Sequence, residues 1–175
     1  AVERVGEESY PIHIKLDTGM HRLGFMEGEL ESLTETLIGT PSVKVATIFS
    51  HLNCSDMSRE DRYTREQIAR FDRMSGRLAA ALPYPVLRHT ANSAAIERFP
   101  EAQFDMCRLG LGLYGFGFEH NDELKPVSTL KSRIVQLKHL AAGEAVGYGR
   151  AGKLTRDSVT ATVPMGYADG LDRHL

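Results

Sequence analysis

Only two cysteines occur in 175 residues, Cys54 and Cys107, far apart and outside any CxxC pair. That spacing excludes a disulfide framework or zinc-thiolate site and leaves two reduced, buried thiols as the expectation. Basic runs are missing as well, the formal net charge is -2 and the pI about 6.4, so no feature of the charge pattern points to nucleic acid. There is no long apolar window, and the opening "AVERVGEESYP" has neither a basic start nor an apolar stretch behind it. A membrane span and a secretory signal are therefore not expected, and the chain reads as cytoplasmic. The seven histidines contain no HExxH-like spacing, which argues against a catalytic metal.

What is present is enough apolar material for a core, 42% of residues, arranged in a repeating order. Residues 10–16 alternate as a strand does, and residues 26–38 place Leu30, Leu33 and Leu37 at helical spacing. "VKVATIFS", residues 43–50, predicts a second strand. A long helix follows with Ile68, Phe71, Leu78 and Leu82 on one face, with Ser58 or Thr64 as its cap and a Thr64–Gln67 capping box. "PVLRHT" (85–90) predicts a third strand, "NSAAIERF" a short helix, and "FDMCRLGL" (104–111) a fourth strand. Short loops in a βαβαβαβ order require parallel strands with right-handed crossovers, so this part is α/β, as a doubly wound sheet or a barrel. From Leu124 the pattern changes to strand-like runs separated by Gly-rich turns, the mark of an all-β domain over 124–175.

Each predicted strand of the α/β part runs into polar residues. Lys15, Asp17 and Arg22 follow the first, His51 and Asp56 the second, Asn92 and Ser93 the third, and Arg108 with Gly110 the fourth. Carboxyl ends of strands carry the site in both open and closed α/β folds. Two short matches do not survive their context. "LDTG" fits the aspartic-protease signature but has no second copy and sits in a helix-rich chain. "GLGLYG" fits GxGxxG but lacks the surrounding βαβ unit. The glycines keep one physical role, since bare backbone N–H groups after a strand approach a phosphate closely, and Ser93 offers a hydroxyl to the same anion. His13 reads as a packed or surface residue, and the tyrosines of "GEAVGYG" and "PMGYADG" read as turn residues.

Taken in order, "IKLDTGMHRLGF", "FSHL", "RHTANSAA", "CRLGLGLYG", "VGYG" and "PMGYADGLDR" resemble the second part of the alanine racemase family, pyridoxal 5'-phosphate enzymes with a TIM-like barrel followed by a β domain. The resemblance implies half of a (β/α)8 barrel over 1–123 and the beginning of a β domain over 124–175. Lys15 matches a lysine that becomes a carbamate in many members, and this anion would orient Arg22. Arg22 would face the cofactor's phenolic oxygen and the substrate carboxylate. Arg108 matches the arginine on the pyridine nitrogen, and Ser93 with the amides of Gly110 and Leu111 would bind the phosphate. Tyr148 matches one catalytic base, assisted by His51 coupled to Arg108 and acting in the partner subunit of a homodimer. Tyr167 would line the substrate entrance.

The implied reaction interconverts L- and D-alanine, a small amino-acid substrate, for peptidoglycan, with neither nucleic acid nor membrane as a partner. One departure stands out. The family's cofactor-holding lysine lies in a "KANAYGHG"-like segment, and none of Lys15, Lys44, Lys125, Lys131, Lys138 or Lys153 sits in such a context. A fragment, inactive alone, is expected. Alternatives left open are a serine or broad-specificity racemase of the same fold, a non-catalytic module joined to a cell-wall ligase, and an aspartic protease.

Overall fold

The computed structural model describes residues 9–172 and 174; residues 1–8, Arg173 at the end of the sixth motif, and Leu175 lie outside the described residues. The chain divides into two compact units, one ending at Val127 and one beginning at Ser128.

In the first unit, strands β1 (Tyr10–Lys15), β2 (Val43–Phe49) and β3 (Leu87–His89) form a parallel sheet in that order. Helix α1 (Leu30–Ile38) connects β1 to β2 and α2 (Asp61–Ala81) connects β2 to β3, the crossover arrangement that parallel pairing demands. The sheet has two unlike faces. Ile14 and Leu16 from the β1 end and Val45 and Ile48 from β2 pack against Leu33 and Leu37 of α1 and Phe71, Met74 and Leu78 of α2. A second cluster, in which Leu52, Ile68, Ala95 and Phe99 meet, lies beside the strand ends. The other face carries His13, Thr47 and His89, linked by hydrogen bonds, with Phe49 stacked on His89 at 5.3 Å and 5°.

Alternation through β2 is broken once. The pairing runs Ile12–Val45, then His13–Thr47, so Ala46 is skipped. This bulge turns Thr47 toward the face of His13 while Val45 and Ile48 both reach the helix side.

Two details differ from the sequence reading. Thr64 does not cap α2. It lies inside the helix, fully buried with its hydroxyl 3.8 Å from Cys54 Sγ, and Gln67 is buried too, accepting from the Asn53 amide instead of closing a capping box. Ser58 opens a 3-10 turn, Ser58–Glu60, that leads into the helix and supplies carbonyls to its first amides, so no side-chain cap forms there. The segment 104–111 is likewise not a strand. It follows β3 through only two main-chain bonds, Asp105 N to Arg88 O and Arg108 N to Ala91 O, each 3.0 Å. Asp105 Oδ2 accepts from Arg88 N at 2.8 Å, taking the place of a strand carbonyl, and Phe104 is bent to φ 47. Helix α3 (Ser93–Arg98) lies between, capped by Asn92, which accepts from Ala95 N. Of the two thiols, Cys54 is buried and Cys107 only half-buried.

The second unit pairs β4 (Gln136–Leu140) with β7 (Ser158–Thr162) antiparallel, and β5 (Ala145–Val146) with β6 (Gly152–Lys153). Among the described residues no helix is long and apolar enough to cross a membrane.

Phe71 is the test of where the core lies, being fully buried and edge-on to Phe104 at 5.0 Å. Phe71→Ala should lose about 3–5 kcal/mol in urea unfolding, whereas Ile38→Ala, at an exposed position, should stay within about 0.5 kcal/mol. Equal losses would contradict this assignment of faces.

Candidate functional site

The loop after β1 is built by its backbone. Leu16 bridges Phe25, with Asp17 N donating to Phe25 O and Phe25 N to Lys15 O, each 2.9 Å. Gly24 makes this possible: its φ is +117°, and a Cβ would lie 2.9 Å from Asp17 N and Lys15 O. Asp17 Oδ1 accepts from Gly19 N (2.9 Å) and His21 N (3.0 Å), and Oδ2 lies 3.5 Å from His21 Nδ1. Burial alone would raise its pKa, but the His21 and Gly19 amides, then the charges of His21 and Lys15, bring it below the usual carboxylate value. An ionised carboxylate committed to its own loop is not half of a proton-sharing acid pair, so the aspartic-protease alternative ends here. The loop is fastened to its surroundings by Tyr63 donating to Gly19 O, Arg70 to Thr18 O, and a 2.8 Å bond between the hydroxyls of Thr18 and Ser50.

The end of β1 and this anchored loop present one cation each. Arg22 is exposed and makes no hydrogen bond or ion pair among the described residues. The Lys15 ammonium donates to the Leu23 carbonyl, and its pKa lies below the ordinary lysine value: burial lowers it most, Asp17 opposes, and the charges of Arg22 and Arg108 lower it further.

Arg108, half-buried, lies across the carboxyl ends of β2 and β3. Nη2 donates to Ser50 O at 2.7 Å, Thr90 O at 3.2 Å and His51 Nδ1 at 3.3 Å, and Nη1 to His89 Nδ1 at 2.6 Å and His89 O at 3.4 Å. No carboxylate touches it, and its Nε–H is left without a partner among the described residues. Phe49 lies beneath the guanidinium at 5.6 Å. Both histidines are neutral acceptors. Burial, then Arg108 and His13, push His89 down to about 4; burial, then Arg108, Arg22 and Lys15, lower His51 as well. Lys15, Arg22 and Arg108 thus form a positive cluster that suits an anion.

Beside it lies a ready cradle. Ser93 Oγ accepts from Gly110 N at 2.8 Å and Gly112 N at 3.1 Å. A Cβ on either glycine would fill the space over Ser93, ending 3.6 Å from its Oγ, and one on Gly112 would also strike Leu109. Leu111 opens a 3-10 turn, Leu111–Tyr114, so its N–H is unused by that turn. His51, Asn92, Ser93, Gly110 and Leu111 line one cavity of about 340 Å3.

Tyr148 and Tyr167 belong to the second unit, each opening a 3-10 turn and strongly exposed; Tyr148 sits between Gly147 and Gly149, both at positive φ. His89, Thr47 and His13 are not among the site residues that the sequence indicates, yet they adjoin Arg108 in a hydrogen-bonded row. What places His89 on the side of Lys15 is strand pairing, Lys15 with Phe49 and Phe49 with His89, which the sequence does not display.

A parallel sheet with an uncompensated cation and a glycine-lined anion cradle at its carboxyl ends defines an α/β protein with a small-molecule anion site. Residues 1–117 match the model described as alanine racemase, N-terminal domain, and residues 127–175 the model for alanine racemase, C-terminal domain. The chain belongs to the alanine racemase family, and its fold is part of that family's TIM barrel followed by part of its β domain. It is 42% identical over 166 residues to an alanine racemase of Sorangium cellulosum and 40% identical over 172 residues to alanine racemase 1 of Clostridium acetobutylicum, in each case over 94% of this chain and 44% of the relative. Among solved structures, alanine racemase from Streptomyces coelicolor A3(2) superposes with a TM-score of 0.89 at 30% identity, over 99% of this chain and 47% of that one. The enzyme from Bartonella henselae, a structure with covalently bound pyridoxal phosphate, superposes with a TM-score of 0.73 at 29% identity, over 99% and 47%. The chain spans less than half the length of the curated relatives it matches.

The depressed histidines set a pH dependence. Above 6.5 an imidazole is neutral in both folded and unfolded chains, so it contributes nothing to the slope. Between 6.5 and about 4 the unfolded His89 binds a proton that the folded one refuses, so stability falls as pH falls through that window. Urea midpoints measured across it should decrease toward acid, and His89→Asn, which cannot protonate, should flatten the decrease. An unchanged slope in the variant would mean that His89 is not the group.

Proposed function

We propose that this chain supplies the strand-end half of the active site of a pyridoxal-phosphate-dependent alanine racemase, a cytoplasmic enzyme that interconverts L- and D-alanine for peptidoglycan synthesis. The observation that carries the reading is Arg108: a cation held in place by carbonyls and neutral imidazoles, with Nε–H as its one donor without a partner among the described residues. The residues present fit the group. Nε–H would meet the pyridine nitrogen, and Ser93 with the Leu111 N–H, joined by the Gly110 N–H on exchanging Ser93 Oγ for the anion, would hold the phosphate in the glycine-lined space. Bound there, pyridoxal phosphate supplies an electron sink for the electron pair left when the α-proton of alanine is removed.

The other roles belong to this chain's own side chains. A guanidinium has no proton to spare at any ordinary pH, so Arg108 would hold the ring nitrogen as an acceptor and weaken the sink. A weaker sink disfavours side reactions. Arg22 has its donors uncommitted and would take the substrate carboxylate in two-point contact. Lys15 would orient it as a carbamate, formed when the neutral amine attacks carbon dioxide and releases a proton; its lowered pKa raises the neutral fraction. Tyr148 would remove or return the α-proton on one face. It needs a donor beside its oxygen to act as a base, and His51 can offer Nε2–H because Arg108 occupies Nδ1. In this reading Tyr148 serves the barrel of a partner subunit in a homodimer, and Tyr167 lines the entrance.

The test is a titration of the chain with pyridoxal phosphate, followed by its near-ultraviolet and visible spectrum. Wild type should bind, and a Ser93→Ala, Arg108→Ala double variant should bind at least about tenfold more weakly. Equal binding by the two would overturn the assignment.

A further inference from the structure

A hydrogen-bonded row crosses the inner sheet face from strand to strand, and the function proposed above makes no use of most of it. His13 Nδ1 on β1 lies 2.8 Å from Thr47 Oγ1 on β2, and Thr47 Oγ1 lies 3.2 Å from His89 Nε2 on β3. His89 Nδ1 lies 2.6 Å from Arg108 Nη1. The protons nearest Arg108 are decided from that end. Arg108 only donates, so His89 Nδ1 accepts, and the single proton of a neutral His89 is on Nε2. That Nε2–H donates to Thr47 Oγ1. His13 Nδ1 holds the same hydroxyl from the other side, at its proton or at its second lone pair.

A second, independent feature shows that the row is built. With regular pairing His13 would stand beside Ala46, and Thr47 would face the helices. The bulge between Ile12 and His13 skips Ala46 and places Thr47 level with His13 on the inner face. Phe49, stacked on His89 and beneath Arg108, closes the same surface.

We propose that Thr47 and His13 are positioning residues for Arg108: the Thr47 hydroxyl, itself held by His13, fixes His89 as its Nε2–H tautomer and keeps the Nδ1 lone pair aimed at the guanidinium, so that Nε–H stays directed at the ring nitrogen. Without an acceptor at Nε2, the Nδ1–H tautomer becomes accessible, and it sets N–H against N–H at Arg108. The role rests on the cofactor assignment for what Arg108 does, whereas the row exists without it.

The experiment uses the full chain, labelled with nitrogen-15. Long-range imidazole spectra at neutral pH should show His89 as the Nε2–H tautomer in wild type. Thr47→Val, equal in shape and still β-branched, should give mixed tautomers at His89 and shift the Arg108 Nε–H resonance. Thr47→Ser should restore both signals. Pyridoxal phosphate should bind Thr47→Val about tenfold more weakly than wild type or Thr47→Ser. A wild-type His89 protonated on Nδ1 would overturn the row, and an Arg108 signal identical in wild type and Thr47→Val would overturn the positioning role. If wild type itself fails to bind the cofactor, the cofactor reading falls, while the imidazole and Arg108 signals still decide this proposal.

Discussion

A guanidinium does not give up its proton, and Arg108 carries that fixed charge into the carboxyl ends of β2 and β3 with no carboxylate against it among the described residues. Everything around it must therefore accept. Ser50, His89 and Thr90 turn carbonyls toward it, and two imidazoles turn lone pairs toward it, which forces both to be neutral. Burying an unpaired charge is costly, and such an arrangement persists only where hydrogen bonds satisfy the ion and the surrounding structure holds them rigid. Here the rigidity comes from the strand ends themselves.

The sheet divides its labour between faces. The helix side gathers Ile14, Leu16, Val45 and Ile48 against leucines and Phe71, a core that needs no polar group. The other side is almost entirely polar or aromatic, and its groups are held by one another. The bulge in β2 is what allows the two requirements to coexist. Two core residues, Val45 and Ile48, are three apart, which strict alternation would put on opposite faces, and the skipped Ala46 reconciles them. A local irregularity in one strand thus serves both packing and polar order.

Much of this was legible in the sequence. The spacing of Leu30, Leu33 and Leu37 and of Phe71 and Leu78 marked helices that are present and buried on those faces, and the first three strand runs are strands. Lys15, His51 and Ser93 fall just at or after strand ends, where a reading by alternation places them. The fourth run was not legible, because "FDMCRLGL" has strand composition while Asp105 uses its side chain as a ladder acceptor, a choice made in three dimensions. Thr64 looked like a cap because the 3-10 turn ahead of α2 leaves no mark that distinguishes it from helix. Thr47 and His13 were hidden for a related reason: a bulge depends on pairing with another strand, and alternation within one strand cannot reveal it. Tyr148 and Tyr167 came from motif resemblance, since a tyrosine between glycines carries no function of its own.

The uncompensated charge also has a kinetic side. The chain as a whole is weakly acidic, at -2, so a distant anion meets mild repulsion, and only near the strand ends do the guanidiniums of Arg22 and Arg108 reverse the sign. Such a local reversal acts as a short-range funnel, speeding the last part of an anion's approach and turning away cations of similar size. Its reach is set by the Debye length, about 10 Å at 0.1 M salt, so dissolved ions alter how often an anion arrives far more than they alter the partly buried contacts that hold it.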